Sequence, residues 1–275
     1  MFKKIALIAI MAFSLSSSTV FAAEVNTPAI NTDTTEELSA SQIVDELYQN
    51  ERSETVKQLA HDLLLTITGE KEPANVYSNG LVEIGTYPRD YHGAANIAVS
   101  LIGDGRLMST HTDTTFTVFL SEKNKLTKDS FEQHKSELKN VYEKVQEVKR
   151  NTVNMDQKSK IRYIAQYVAN SFVYDKVYYA DRQSLASALN AGASDCEWYA
   201  SYFYILASNC GVNVSCRTGI NNKGNYHAWN AVNIDGQEMV VDVSSGDYHN
   251  MLDYFLLMPM SNYPCTEKWD IWSAV

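Results

Sequence analysis

Asp235-Gly236 constrains this chain more than any other pair of neighbours. It stands between two strand-like runs, Tyr226–Ile234 (YHAWNAVNI) and Gln237–Val243 (QEMVVDV). Asp-Gly between such runs specifies a two-residue hairpin loop, because the loop needs left-handed backbone at its central positions and these residues accept it. The loop fixes a register in which Ile234 pairs with Gln237. Trp229 then faces Asp242, His227 faces Ser244, and the four side chains share one face of the ribbon. His227 and Asp242 become diagonal neighbours with Cα atoms about 7–8 Å apart, within reach of an imidazole and a carboxylate. A single bulge would undo the placement.

A helix with both ends marked lies upstream. Ser194-Asp195-Cys196-Glu197 reads as a capping box, with Ser194 at N-cap and Glu197 at N3, and Gly211 closes the helix after YILASNC. Tyr199, Tyr202, Phe203 and Leu206 recur at helical spacing, which makes it central to a core. Cys196 falls at N2, in the first turn, where backbone N–H groups lack intrahelical partners. A helix N-terminus and a nearby imidazolium both favour a thiolate, and the free amides suit an oxyanion. His227 would take the thiol proton and return it to a leaving group, with Asp242 holding the imidazole in orientation. The competing readings of Cys196 are a disulfide half or a small core residue. Asp195 and Glu197 flank the thiol and would raise its pKa if aimed at it; Glu197 is assigned to the cap and Asp195 to solvent. Trp198 and Trp229 are either core aromatics or substrate-binding walls of an acyl channel. Asp235 belongs to the turn, and Asp247 to a loop cap or to substrate. The histidines at 61, 92, 111, 134 and 249 lack such context and read as surface residues.

The first residues read as an export signal: a basic MFKK, the apolar IALIAIMAF, and SSSTVFA with small residues at the −3 and −1 positions. The apolar run is too short to span a bilayer. Cleavage is expected after Ala22. Of the 23 basic and 33 acidic residues it would remove only Lys3 and Lys4, leaving 21 against 33 and a formal charge of −12. That balance argues against nucleic acid and anionic membrane surfaces as partners. No later segment reads as a membrane span. In an oxidising compartment four cysteines suggest two disulfides. If Cys196 is free, at most one pair remains, Cys210–Cys216 or one of these with Cys265, with one thiol left over; the alternative is that all are reduced. No CxxC pair is present, so a structural zinc site is not expected; no EF-hand calcium loop is visible, and no metal or cofactor is expected.

Residues 23–40 are polar and aperiodic and read as a flexible leader. Helical periodicity runs from Ser41 to about Thr66 with a break near Asn50, and returns at 128–150 and 157–172. LVEIGTY, AANIAVSLI and TTFTVFL, within 81–120, read as strands of a small β layer. SLASALN is a short helix stopped at Gly192, and NVSCRTG is a strand before the hairpin. The organisation expected is a signal peptide at 1–22, the leader at 23–40, a helical and β-hairpin region at 41–150, and a catalytic core at 151–275.

The stretch DCEWYASYFYILASNCGV followed by HAWNAVNIDGQEMVVDVSSGD resembles the transglutaminase-like superfamily. The pattern is a cysteine with Tyr199-Ala200 three and four residues on, then HAWN, then a hairpin ending in Val241-Asp242. SFVYD at 171–175 is similar to a segment upstream in many bacterial members, and the resemblance covers about 155–248. Two positions depart from it: Ser194, where many members have glycine, and Trp198, where many have a small residue. The resemblance implies an α+β fold with a papain-like core, a cysteine helix packed on an antiparallel sheet, preceded here by helices and a small β layer. It also implies triad roles for Cys196, His227 and Asp242 in a cysteine acyltransferase, amide hydrolase or protease that passes through a thioester. The expected partners are protein or peptide substrates outside the cytoplasm, at the cell surface, in the periplasm or secreted. The alternative is an inactive module of the same fold that binds extracellular or cell-surface partners.

Overall fold

The helix that carries Cys196 is buried around its whole circumference, and the rest of the fold is arranged to cover it. The computed structural model describes residues 38–89, 99–103, 107–121, 126–175 and 184–274, with side chains as far as 266. They belong to one unit, Leu38–Val275. The signal expected at 1–22 and nearly all of the leader expected at 23–40 lie outside the described residues.

In chain order the helices are α1 (Ala40–Leu47), α2 (Glu54–Ile67), α3 (Lys128–Thr152), α4 (Gln157–Ser171), α5 (Leu185–Ala191), α6 (Cys196–Asn209) and α7 (Val243–Tyr248). The strands are β1 (Asn75–Val76), β2 (Val82–Pro88), β3 (Leu107–His111), β4 (Thr115–Leu120), β5 (Val173–Tyr174), β6 (Ala193–Ser194), β7 (Val214–Ile220), β8 (Tyr226–Ile234), β9 (Gln237–Val241), β10 (Leu256–Pro259) and β11 (Thr266–Ala274). Each expected helix is present, including the break between α1 and α2 and the stop at Gly192, whose φ of 64° is left-handed. AANIAVSLI is a different matter. Its described end, 99–103, is not a strand; Val99 and Leu101 are simply buried. The strand that pairs with β4 is instead β3.

Two antiparallel sheets form, one ordered β1-β2-β4-β3 and one ordered β10-β9-β8-β7-β11. A short parallel pair joins β5 to β6. In α6 every residue except Glu197 is buried, as a helix without a polar face requires. It packs on β7 and β8 on one side and on α3 and α4 on the other. The main core is continuous from α1 and α2 through β2 and β4 to α6, so the N-terminal layer and the cysteine helix share one apolar interior.

The Asp235-Gly236 hairpin forms in the expected register, from Ile234–Gln237 to Asn230–Val241. Asp235 and Gly236 have φ of 54° and 81°, the left-handed pair that such a loop demands. The ladder does not reach Ser244 as expected. It ends at Val241, and Ser244 is buried within α7. β8 is buried on both faces. On one face, Asn230 donates from Nδ2 to the Ala200 carbonyl of α6 at 3.1 Å. On the other, Trp229, Val240, Met258 and Tyr263 form a second, smaller core.

Candidate active site

Cys196 is the first residue of α6, one position earlier than the sequence suggests. The N-cap is Asp195, not Ser194. Its Oδ1 accepts the Glu197 amide at 3.0 Å. Ser194 is drawn instead into β6, and its hydroxyl donates to the Asp195 carbonyl at 3.0 Å. The two adjacent side chains compete for one cap, and pairing of β6 with β5 settles the choice. Glu197 therefore stands at N2, where its carboxylate hydrogen-bonds the Tyr226 hydroxyl.

The partners of the thiol come from the hairpin. His227 is the second residue of β8, and its Nε2 meets Asp242 Oδ2 at 2.9 Å. Asp242 leaves β9 to become the N-cap of α7. Its Oδ1 accepts from the Ser244 hydroxyl at 2.9 Å and from the Ser245 amide at 3.0 Å, while Oδ2 also accepts from the Tyr263 hydroxyl at 2.7 Å. The carboxylate is 1% exposed and its oxygens are bonded from four sides, which fixes its orientation without freezing a free rotor at the moment of reaction. With Nε2 engaged, Nδ1 of His227 is the ring nitrogen left for Cys196, and thiol and imidazole are hydrogen-bonded. The structure thus brings Cys196, His227 and Asp242 into one contiguous chain of contacts. Tyr263 was not among the candidate residues. No local pattern marks it, because its contact with Asp242 depends on where the chain returns after β10.

Residues 143–243 match the sequence profile of the transglutaminase-like superfamily. They are a transglutaminase-like domain. The match opens inside α3 and ends one residue past Asp242. No curated protein matches the chain. Among solved structures it is similar to a TGase, at 16% identity and TM-score 0.35 over 50% of this chain and 44% of that one. It is also similar to a candidate cysteine protease from Cytophaga hutchinsonii, at 10% identity and TM-score 0.33 over 73% and 79% of the two chains. A third is a candidate protease from Parabacteroides distasonis, at 11% identity and TM-score 0.29 over 62% and 42%. The chain thus spans less than half the length of the first and third of these structures.

Electrostatics within the transglutaminase-like domain are set by burial and one ion pair. Burial alone would lower the His227 pKa, but the adjacent Asp242 carboxylate outweighs it and raises the imidazole to about 11. Burial likewise opposes ionisation of Asp242, and the imidazolium together with the Ser245 bonds reverses this, holding the carboxyl at about 2. Cys196 behaves otherwise than a helix N-terminus leads one to expect. Burial pushes the thiol up, the His227 contact and the Ala228 amide pull it down, and Asp195 adds to the rise; the net direction is up. At neutral pH the site holds an imidazolium beside a protonated thiol. Ionisation of the thiol would give a thiolate–imidazolium pair, and the His227 contact pulls the thiol in that direction.

The thiol opens on a cleft of about 580 Å³. Tyr174, Asp195, Asn222, Lys223 and Tyr248 are among its lining residues, with Cys196, His227 and Asp242 at its floor. The tryptophans expected to bind substrate are not part of it. Trp198 is buried in α6, and Trp229 is 1% exposed behind the imidazole, with the two rings stacked at 6.1 Å. Trp229 backs His227 instead of facing the cleft, because both stand two apart on one side of β8. Asp247 accepts from the Tyr199 hydroxyl. All four cysteines are free, so none of the expected disulfides forms. Cys210 accepts from the Thr152 hydroxyl at 3.3 Å, Cys216 is fully buried in β7, and Cys265 lines the cleft. His134, read as a surface residue, is buried against Glu137 at 3.0 Å; His249 lines the cleft. His92 lies outside the described residues. Among the described residues no group of three or more His, Cys, Asp and Glu could hold a metal ion, and no helix is long and apolar enough to cross a membrane.

Proposed function

We propose that the chain is a cysteine-dependent acyl transferase or amide hydrolase, with Cys196 as nucleophile, His227 as proton carrier and Asp242 as its orienting acid. The observation that supports this most is the 2.9 Å His227–Asp242 contact behind a thiol at the floor of an open cleft. The Cys196 thiolate adds to a carboxamide or peptide carbonyl, and the amide of Cys196, in a first helical turn where N–H groups lack intrahelical acceptors, would hold the developing oxyanion. His227 gives its proton to the leaving nitrogen as the C–N bond breaks, leaving a thioester and ammonia or an amine. His227 then takes a proton from water or an acceptor amine, which adds to the thioester and releases the thiol. Water as acceptor gives deamidation or proteolysis; an amine gives crosslinking.

The basic, apolar and small-residue order of residues 1–22 supports placing this chemistry outside the cytoplasm, on proteins or peptides there. Amino-terminal sequencing of protein recovered from the producing cell's exterior checks that placement: an intact Met1 or an exclusively cytoplasmic pool overturns it. The catalytic reading is tested by incubating the full chain with a glutamine-containing peptide mixture, with and without a primary amine. Ammonia release, amine incorporation or cleavage that disappears in Cys196→Ala is expected; equal turnover by Cys196→Ala sinks the reading. One observation favours a second reading, a binding module without turnover: the upward push on the thiol. A folded chain whose Cys196 resists iodoacetamide even at alkaline pH would decide for the module.

A further inference from the structure

One wall of the Cys196 cleft carries aromatic groups that the proposed triad does not use. Tyr174, Tyr248, His249 and Phe255 all line it. Their rings meet in sequence: Tyr174 and Tyr248 at 5.2 Å, Tyr248 and His249 at 4.8 Å, His249 and Phe255 at 6.1 Å, with Tyr254 continuing from Phe255 at 5.1 Å. The row is not sealed by the fold. Tyr248 is 51% exposed and Tyr254 60%. A contiguous exposed aromatic surface marks an interaction site, and aromatic rings give contact area at small cost in side-chain freedom.

The row is also held in place relative to the thiol. Asp242 caps α7 and Tyr248 ends it, so six residues of helix link the triad acid to the aromatic wall. The Asp242 amide donates to the Phe255 carbonyl at 3.0 Å. The cleft is also lined by polar residues of the β7–β8 turn, Asn222, Lys223 and Asn225. An extended polypeptide in the cleft sends successive side chains in opposite directions, which suits a lining that holds both an aromatic row and polar side chains. The angles within the row favour a side chain over a sugar ring. Tyr174–Tyr248 and Tyr248–His249 meet at 60° and 75° while His249 and Phe255 lie at 18°, giving notches between edges and faces at Tyr248 rather than one flat stacking platform along the row.

We propose that Tyr174, Tyr248, His249 and Phe255 form a subsite for an aromatic or bulky aliphatic side chain of a polypeptide acyl donor, beside the residue whose carbonyl meets Cys196. The orientation of the donor rests on the nucleophile reading of Cys196; occupancy of the subsite does not. Two measurements separate them. In the first, Cys196→Ala full-length protein is titrated with fluorescent hexapeptides carrying a central glutamine flanked by phenylalanine or by serine. The phenylalanine peptide binds at least tenfold tighter, and Tyr248→Ala in the same background removes most of that preference. If Tyr248→Ala misfolds by circular dichroism, His249→Ala, also exposed and within the subsite, carries the test and weakens the preference. Equal affinity for both peptides, or a preference untouched by the variant, overturns the subsite, as does preferential binding of a neutral oligosaccharide over the phenylalanine peptide. In the second, iodoacetamide labelling of the wild-type chain reports on Cys196 alone. A preference for phenylalanine with an inert Cys196 upholds the subsite and removes the catalytic reading; a reactive Cys196 with no preference does the reverse.

Discussion

Asp195 stands one residue before the candidate nucleophile and acts on it in two ways. Its Oδ1 caps α6 through the Glu197 amide, and its charge adds to the upward push on the thiol. Asparagine caps as well as aspartate but carries no charge. Asp195→Asn is therefore expected to keep the helix and ease ionisation of Cys196. A lower thiol pKa raises the thiolate fraction and with it iodoacetamide alkylation at pH 7, read by mass spectrometry across a pH series. A curve that stays where it was would show that solvent screens the Asp195 charge. Tyr263 makes the complementary case. Tyr263→Phe deletes one donor to Asp242 Oδ2 and leaves the ring against Trp229, 5.2 Å away. A hydrogen bond to a buried charge contributes about 1.5–3 kcal/mol, so denaturant unfolding should show a loss of that order, and a loss below about 0.5 kcal/mol would mean that solvent replaces the hydroxyl. Neither residue is fully readable from the sequence. Ser194 and Asp195 are both good caps, and only the β5–β6 pairing decides between them. Tyr263 meets Asp242 across 21 residues of chain.

At the scale of elements, legibility follows how local the determining force is. Asp235-Gly236 sets its own backbone and so fixes the β8–β9 register. The marked ends of α5 and the helical spacing of Tyr199, Tyr202, Phe203 and Leu206 in α6 likewise sit within the segments they define, whereas burial of the other faces of α6 depends on the elements around it. β3 and β10 carry no such marks, since their pairing is set by β4 and β9 already in place. Tryptophans are legible as large apolar residues, while the face they take depends on neighbours, and both Trp198 and Trp229 turn inward. Gly219 shows the same dependence. A Cβ there would lie 2.3 Å from the Thr266 carbonyl oxygen and 2.9 Å from Cη2 of Trp229, so β7 can take β11 and the indole this closely only through glycine. Overpacking of this kind costs about 1–3 kcal/mol. Gly219→Ala should lower Tm by roughly 2–10 °C and, because Trp229 backs His227, reduce turnover as well. Calorimetry showing an unchanged Tm would mean that β11 shifts freely.

For the whole molecule the His227–Asp242 pair ties stability to pH, and the sign follows from the two directions. Asp242 is held below its ordinary value, so its contribution is complete above the normal carboxylate range near 3.8 and fades as pH falls towards about 2. His227 is raised from 6.5 to about 11, so its contribution is complete below 6.5 and fades as pH climbs towards 11. The pair therefore stabilises the fold most between these windows, in mild acid. Thiols and phenols that burial raises act with the same sign, yet only where their unfolded counterparts ionise, above about 8.5. The interval from pH 7 to 8.5 thus reports mainly on the imidazole. There the native state retains a proton that the unfolded chain has lost, and unfolding free energy should fall by up to about 1.4 kcal/mol per pH unit. Asp242→Asn removes the charge that holds this proton. It should cost about 3–5 kcal/mol in mild acid, where a buried imidazolium loses its partner, and much less near pH 8.5, where the imidazole sheds its proton instead. Denaturant titrations of both proteins at pH 6, 7 and 8.5 measure the two slopes. Parallel slopes would show that the imidazole is neutral in the native state, and with it that the proton proposed for the leaving nitrogen comes from the thiol.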